Sequence, residues 1–162
     1  MNPLHNLPAT VVGDPPPSLA ERNLLRGWRL GLPSGQRVAR AMHLKPLEDD
    51  QILIGKAVDA PDTPLGNIKQ VSKVFSDNCP LWTYILAEAM QPKLESVKIP
   101  VKENISINTP KLGPVGGRIV AEVFLGLLSG DKSSFLNLDP LWHPKTGPTY
   151  ALKDFVRYAL GH

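Results

Sequence analysis

The segment Ser18-Leu-Ala-Glu21-Arg-Asn23-Leu-Leu-Arg26-Gly-Trp28-Arg-Leu-Gly31-Leu-Pro33-Ser-Gly-Gln36 constrains the fold more tightly than any other stretch, because it fixes where a helix starts, where it stops and how its faces are divided. Ser18 followed three positions later by Glu21 is a capping box, in which each side chain satisfies a free backbone N–H at the helix start. The helix is predicted over 19–30. Gly31 can take the left-handed conformation that closes a helix, and Pro33 blocks its continuation. At about 100° per residue, Arg22, Arg26 and Arg29 form one basic stripe, while Ala20, Leu24, Leu25 and Trp28 cover most of the opposite side. Asn23 falls between, close in angle to Leu19 and Leu30. An amide flanked by leucines needs hydrogen-bond partners, since a buried one without them costs roughly 1–3 kcal/mol. On pattern alone this is an amphipathic helix carrying a satisfied polar residue.

Proline and glycine set the texture of the rest. With 17 Pro and 13 Gly in 162 residues and 42% hydrophobic content, the sequence predicts a mainly α, irregular, loop-rich domain of short helices, long enough for one core. It reads as a single region over 1–162, with a flexible lead-in at 1–17. A second helix is expected from Ser34 to His43, and a short one over 48–54, where Glu48, Asp49 and Asp50 favour the positive end of a helix dipole. Gly55, Pro61, Pro64 and Gly66 make 55–79 mostly irregular, with a turn of helix near Val71. Pro80 suits a first helical position, and that helix runs through Met90 until Pro92. Over 92–111, Val97, Ile99, Val101, Ile105 and Ile107 alternate with polar residues, as in short strands or an extended linker or arm. The helix from Pro114 to Ser129 is apolar almost all round, interrupted by Arg118 and Glu122, and such a helix needs neighbours on every side. Gly130 would stop it. A final helix over 151–159 presents Leu152, Phe155, Val156 and Ala159 on one face.

Charge and cysteine content narrow the function classes. A net charge of +3 and a pI near 9.1 permit an anionic partner without demanding one. Arg22, Arg26, Arg29, Arg37 and Arg40 cluster over two helices, but leucines interrupt the stripe and no nucleic-acid motif accompanies it, so nucleic acid is disfavoured. No run of 18 apolar residues marks a membrane span and no leader marks secretion, which leaves cytoplasmic as the default location. The single cysteine, Cys79, excludes an internal disulfide and has no neighbouring histidine to activate it. His5, His43, His143 and His162 are too scattered for a metal site. His43 reads as a simple cation at a helix C-terminus. Gly113-Pro-Val-Gly116-Gly117-Arg118 could cradle an anion at a helix start, but it fits no phosphate-loop or dinucleotide spacing, and tight helix packing explains its glycines better. Asn104-Ile-Ser106 is a glycosylation tripeptide at chance frequency.

Three segments together resemble the animal-type haem peroxidase superfamily, which includes the myeloperoxidase and cyclooxygenase relatives, in its bacterial branch. Asn23-Leu-Leu-Arg26-Gly-Trp-Arg-Leu-Gly-Leu-Pro-Ser-Gly-Gln36 is similar to the family's haem-side helix, Leu81-Trp82-Thr-Tyr84-Ile-Leu-Ala-Glu88-Ala to a later helix, and Leu112-Gly-Pro-Val-Gly116-Gly-Arg118 through Gly130-Asp131 to Asn137 to the late helix and its tail. Their order matches the family's. The resemblance implies that Asn23 accepts a hydrogen bond from the proximal histidine on haem iron and that Arg26 meets a haem propionate, an arrangement that orients the ligand and pairs guanidinium with carboxylate.

The resemblance also implies an incomplete reaction centre. The family's proximal and distal histidines, catalytic arginine and calcium loop precede the asparagine helix, where this chain has seventeen residues and the single histidine His5. Where vertebrate relatives carry Arg-Asp-His-Gly, this chain has Trp28-Arg29-Leu30-Gly31, so the Asp-His pair is absent. The expected protein is therefore the C-terminal part of a peroxidase domain, with no catalytic residue or metal ligand of its own. Its implied partners are haem, a missing N-terminal half and, in the complete enzyme, hydrogen peroxide and an electron donor. The alternative is a free-standing, non-catalytic helical remnant or partner-binding module.

Overall fold

The architecture is that of a computed structural model in which residues 16–55, 66–91, 96–98, 106–108, 111–144, 147 and 150–161 are described. It is mainly helical, and the chain divides into two compact units, Met1–Ile119 and Val120–His162. The helices among the described residues are α1 (Leu19–Arg29), α2 (Gly35–Ala41), α3 (Ile68–Val71), α4 (Leu81–Ala89), α5 (Pro114–Gly130), α6 (Phe135–Leu138) and α7 (Leu152–Ala159). Most of the lead-in at 1–17 and of the stretch 92–111 lies outside the described residues.

In the first unit, α1 begins and ends where its sequence dictates. Ser18 Oγ accepts a hydrogen bond from Glu21 N–H at 3.3 Å. The reciprocal arm of the expected capping box is not made, and Ser18 acts as a simple N-cap. At the far end Gly31 takes φ +62°, and the N–H groups of Gly31 and Leu32 donate to the carbonyls of Trp28 and Gly27, both at 3.0 Å. This double bond pattern is the Schellman closure, which needs a residue free to enter the left-handed region.

Helix α2 stops two residues before the expected His43. Ser34 caps it through Oγ, which accepts from Arg37 N–H at 3.4 Å. His43 follows the helix as expected and adopts φ +58°, and the N–H groups of His43 and Leu44 close on the carbonyls of Arg40 and Ala39 at 2.9 and 2.8 Å. A histidine thus fills a position that glycine usually holds.

The helix expected over 48–54 is one turn of 3-10 helix, Asp49–Gln51, tied by Gln51 Oε1 accepting from Glu48 N–H at 2.9 Å. It cannot continue because Ile52 turns inward and is fully buried. Beyond it β1 (Leu53–Ile54) pairs antiparallel with β2 (Gly66–Asn67), with Leu53 opposite Asn67 and Ile54 opposite Gly66. The turn of helix near Val71 is present as α3, followed by a 3-10 turn at Lys73–Phe75. Pro80 is the N-cap of α4 and not its first helical residue. The alternating segment forms β3 (Ser96–Lys98) and β4 (Ser106–Asn108), an antiparallel pair with Val97 opposite Ile107.

Two close approaches bring these helices together. Gly35 lies against the buried ring of Tyr84 on α4, so closely that a Cβ at position 35 would sit 2.0 Å from Tyr84 Cγ. A Cβ at Gly113 would meet Glu88 at 2.2 Å, and one at Gly116 would meet Ile85 at 2.7 Å. Gly113 and Gly116 therefore serve tight packing, as the sequence suggested, whereas a Cβ at Gly117 would meet only ordinary contacts at 3.9 Å. The anion at that helix start is the protein's own Glu88, whose nearly buried carboxylate accepts from the N–H groups of Val115 and Gly116 at 3.0 and 3.1 Å. A carboxylate at this end satisfies orphan amides and complements the helix dipole. Ala39, Ile52, Ile68, Cys79, Tyr84, Ala87 and Val115 form the core around these contacts.

In the second unit, α5 runs one residue past the expected stop and includes Gly130. Its last carbonyls are collected by the tail that follows. Ser134 Oγ donates to the Leu128 carbonyl, and Asn137 Nδ2 donates to the carbonyls of Ser129 and Asp131 at 3.1 and 2.7 Å. The Gly-Asp to Asn spacing is thus a helix C-terminal cap. Phe135 and Trp142 pack edge to face with centroids 5.3 Å apart. Val123, Phe124, Leu125 and Leu127 on α5 are exposed, as are Phe155 and Val156 on α7.

One substitution at two glycines has opposite consequences. Gly35→Ala, which drives a Cβ into the Tyr84 ring, is expected to destabilise the protein by at least about 3 kcal/mol. Gly126→Ala, where a Cβ meets nothing within 4 Å, is expected to stabilise it by roughly 0.5–1 kcal/mol. Denaturant midpoints of the two variants check both signs.

Candidate functional site: the groove along α1

Helix α1 has no fully buried residue, and Trp28 is 78% exposed near its end. One side of α1 packs beside α4, and between them and the 75–82 segment lies an open groove of about 580 Å³. Asn23, Arg26 and Trp28 border it from the helix, and Phe75, Asn78, Pro80 and Trp82 face them. The two residues singled out in the sequence therefore share one groove, about one helical turn apart.

Asn23 is half-buried, and its side-chain amide makes no hydrogen bond to another described protein group. No buried side-chain polar atom among the described residues lacks a hydrogen-bond partner, so the Asn23 amide is open to solvent at the groove and not an orphaned core group. Arg26 is exposed and makes no ion pair among the described residues. The groove thus sets the Asn23 amide and the Arg26 guanidinium, together with the Glu21 carboxylate and the Asn78 amide, among mostly apolar side chains.

The opposite wall is held by a polar network that no local sequence signal announces. Gln36, completely buried, accepts from Cys79 N–H at 3.0 Å through Oε1 and donates to Asp49 Oδ1 at 3.4 Å through Nε2. Gly35 N–H donates to the Cys79 carbonyl at 2.9 Å, and Ser34 bridges Pro80. Asp49 also accepts from Ser76 Oγ at 2.7 Å and Asp77 N–H at 2.9 Å, and Lys69 Nζ lies 3.5 Å away. The partners are 13 to 43 positions apart, so the sequence pattern could not pair them. Desolvation pushes the Asp49 carboxyl up, yet the bonds from Ser76 and Asp77 and the charge of Lys69 outweigh it and hold it below the usual carboxylate range.

Cys79 borders the groove but is not available for chemistry. Burial, with a smaller contribution from the Asp49 charge, pushes its thiol up to about 12, so the nucleophilic thiolate is scarce at neutral pH. No histidine borders the groove among the described residues. His5 and His162 lie outside those residues, while His43 and His143 are exposed and outside the groove lining. Among the described residues no helix is long and apolar enough to cross a membrane.

No protein-family model, curated protein or solved structure matches the chain. What fold and site define together is a mainly helical protein with an open, mostly apolar groove that Glu21, Asn23, Arg26 and Asn78 also line.

Two measurements check this electrostatic description. Cys79 should resist iodoacetamide at pH 8 in the folded protein and react once denaturant unfolds it; fast labelling of the native state would show the thiol to be exposed or activated. Asp49 stabilises the fold above its unfolded-state value of about 3.9 and loses that contribution as pH falls through its lower folded-state value. Stability should therefore drop below about pH 4, and in Asp49→Asn the protein should be less stable at pH 7 with a shallower acid slope.

Proposed function

We propose that this chain is the C-terminal part of a haem peroxidase homologue of the animal type, in a lineage that reduces hydrogen peroxide while oxidising a donor, and that the groove along α1 is its haem-side wall. The observation that supports the reading is that Asn23 and Arg26, the two residues the resemblance assigns to the cofactor, line one open groove, with Arg26 in no ion pair among the described residues.

The groove's residues fit the periphery of a haem and not its iron. Apolar side chains such as Trp28, Phe75, Pro80 and Trp82 suit a porphyrin edge, and Arg26 suits a propionate. Neither an imidazole nor an ionised thiol borders the groove among the described residues, so the iron ligand comes from outside it. When bound, haem supplies the redox chemistry with peroxide. The chain's own contribution is to orient: the Asn23 amide oxygen is free to accept from the outer N–H of a ligand histidine, fixing its tautomer and ring plane. The open, mostly apolar groove also supports a second reading, a free-standing helical module without peroxidase activity, in which the groove holds a partner.

The test is Asn23→Ala in the native, haem-loaded protein. A shifted Soret band and a loss of peroxidase turnover of roughly 10–100-fold are expected, because the ligand loses its orienting acceptor. An unchanged spectrum with unchanged turnover would remove Asn23 from the site and leave the helical-module reading.

A further inference from the structure

We draw no further inference here: the strongest candidate, the apolar surface that Val123, Phe124 and Leu127 present on the second half of α5, stands open, and nothing in the structure shows what covers it.

Discussion

The contact between Gly35 and the ring of Tyr84 is the constraint on which the first unit depends. It sets α2 against α4 at a distance only a glycine permits. With that spacing fixed, Gln36 reaches both Cys79 N–H and Asp49, and Tyr84 Oη accepts from Leu47 N–H at 2.9 Å. Each of these polar groups is buried or nearly so, and each would cost free energy if its partner moved away. A larger residue at position 35 would therefore disturb an apolar contact and a polar network together.

Helix α4 transmits this arrangement to the start of α5. Tyr84 and Glu88 are one turn apart, so the same helix that receives Gly35 also offers its carboxylate to Val115 and Gly116. The two sets of glycines solve one problem twice: they let backbone approach a large or charged side chain closely enough to bury it. The core built this way is small, and it leaves much of α1, and the α5 residues beyond it, with apolar side chains in solvent.

Much of the fold was legible because its signals are local. Ser18, Gly31 and Pro33 bracket α1, Ser34 opens α2, and the apolar run after Pro114 gives α5 almost to the residue. Pattern failed where tertiary contacts overrule it. The acidic residues at 48–50 suggested a helix, but burial of Ile52 turned the chain into a strand after one turn. The left-handed conformation of His43, which closes α2, carried no signal in the sequence because glycine usually fills that position. At the candidate site, Asn23 and Arg26 were visible as neighbours on one helix. The opposite wall was not, because Gln36, Asp49 and Cys79 meet only after folding.

We propose that the α1 groove belongs to a haem site whose iron ligand lies outside it. The most direct measurement is the intact mass and haem content of the native protein, captured from its source cells with an antibody to this chain. The account predicts a haem-containing species larger than 17.7 kDa, with histidine on the iron. A haem-free species of 17.7 kDa would contradict it and leave a helical module that works without the cofactor.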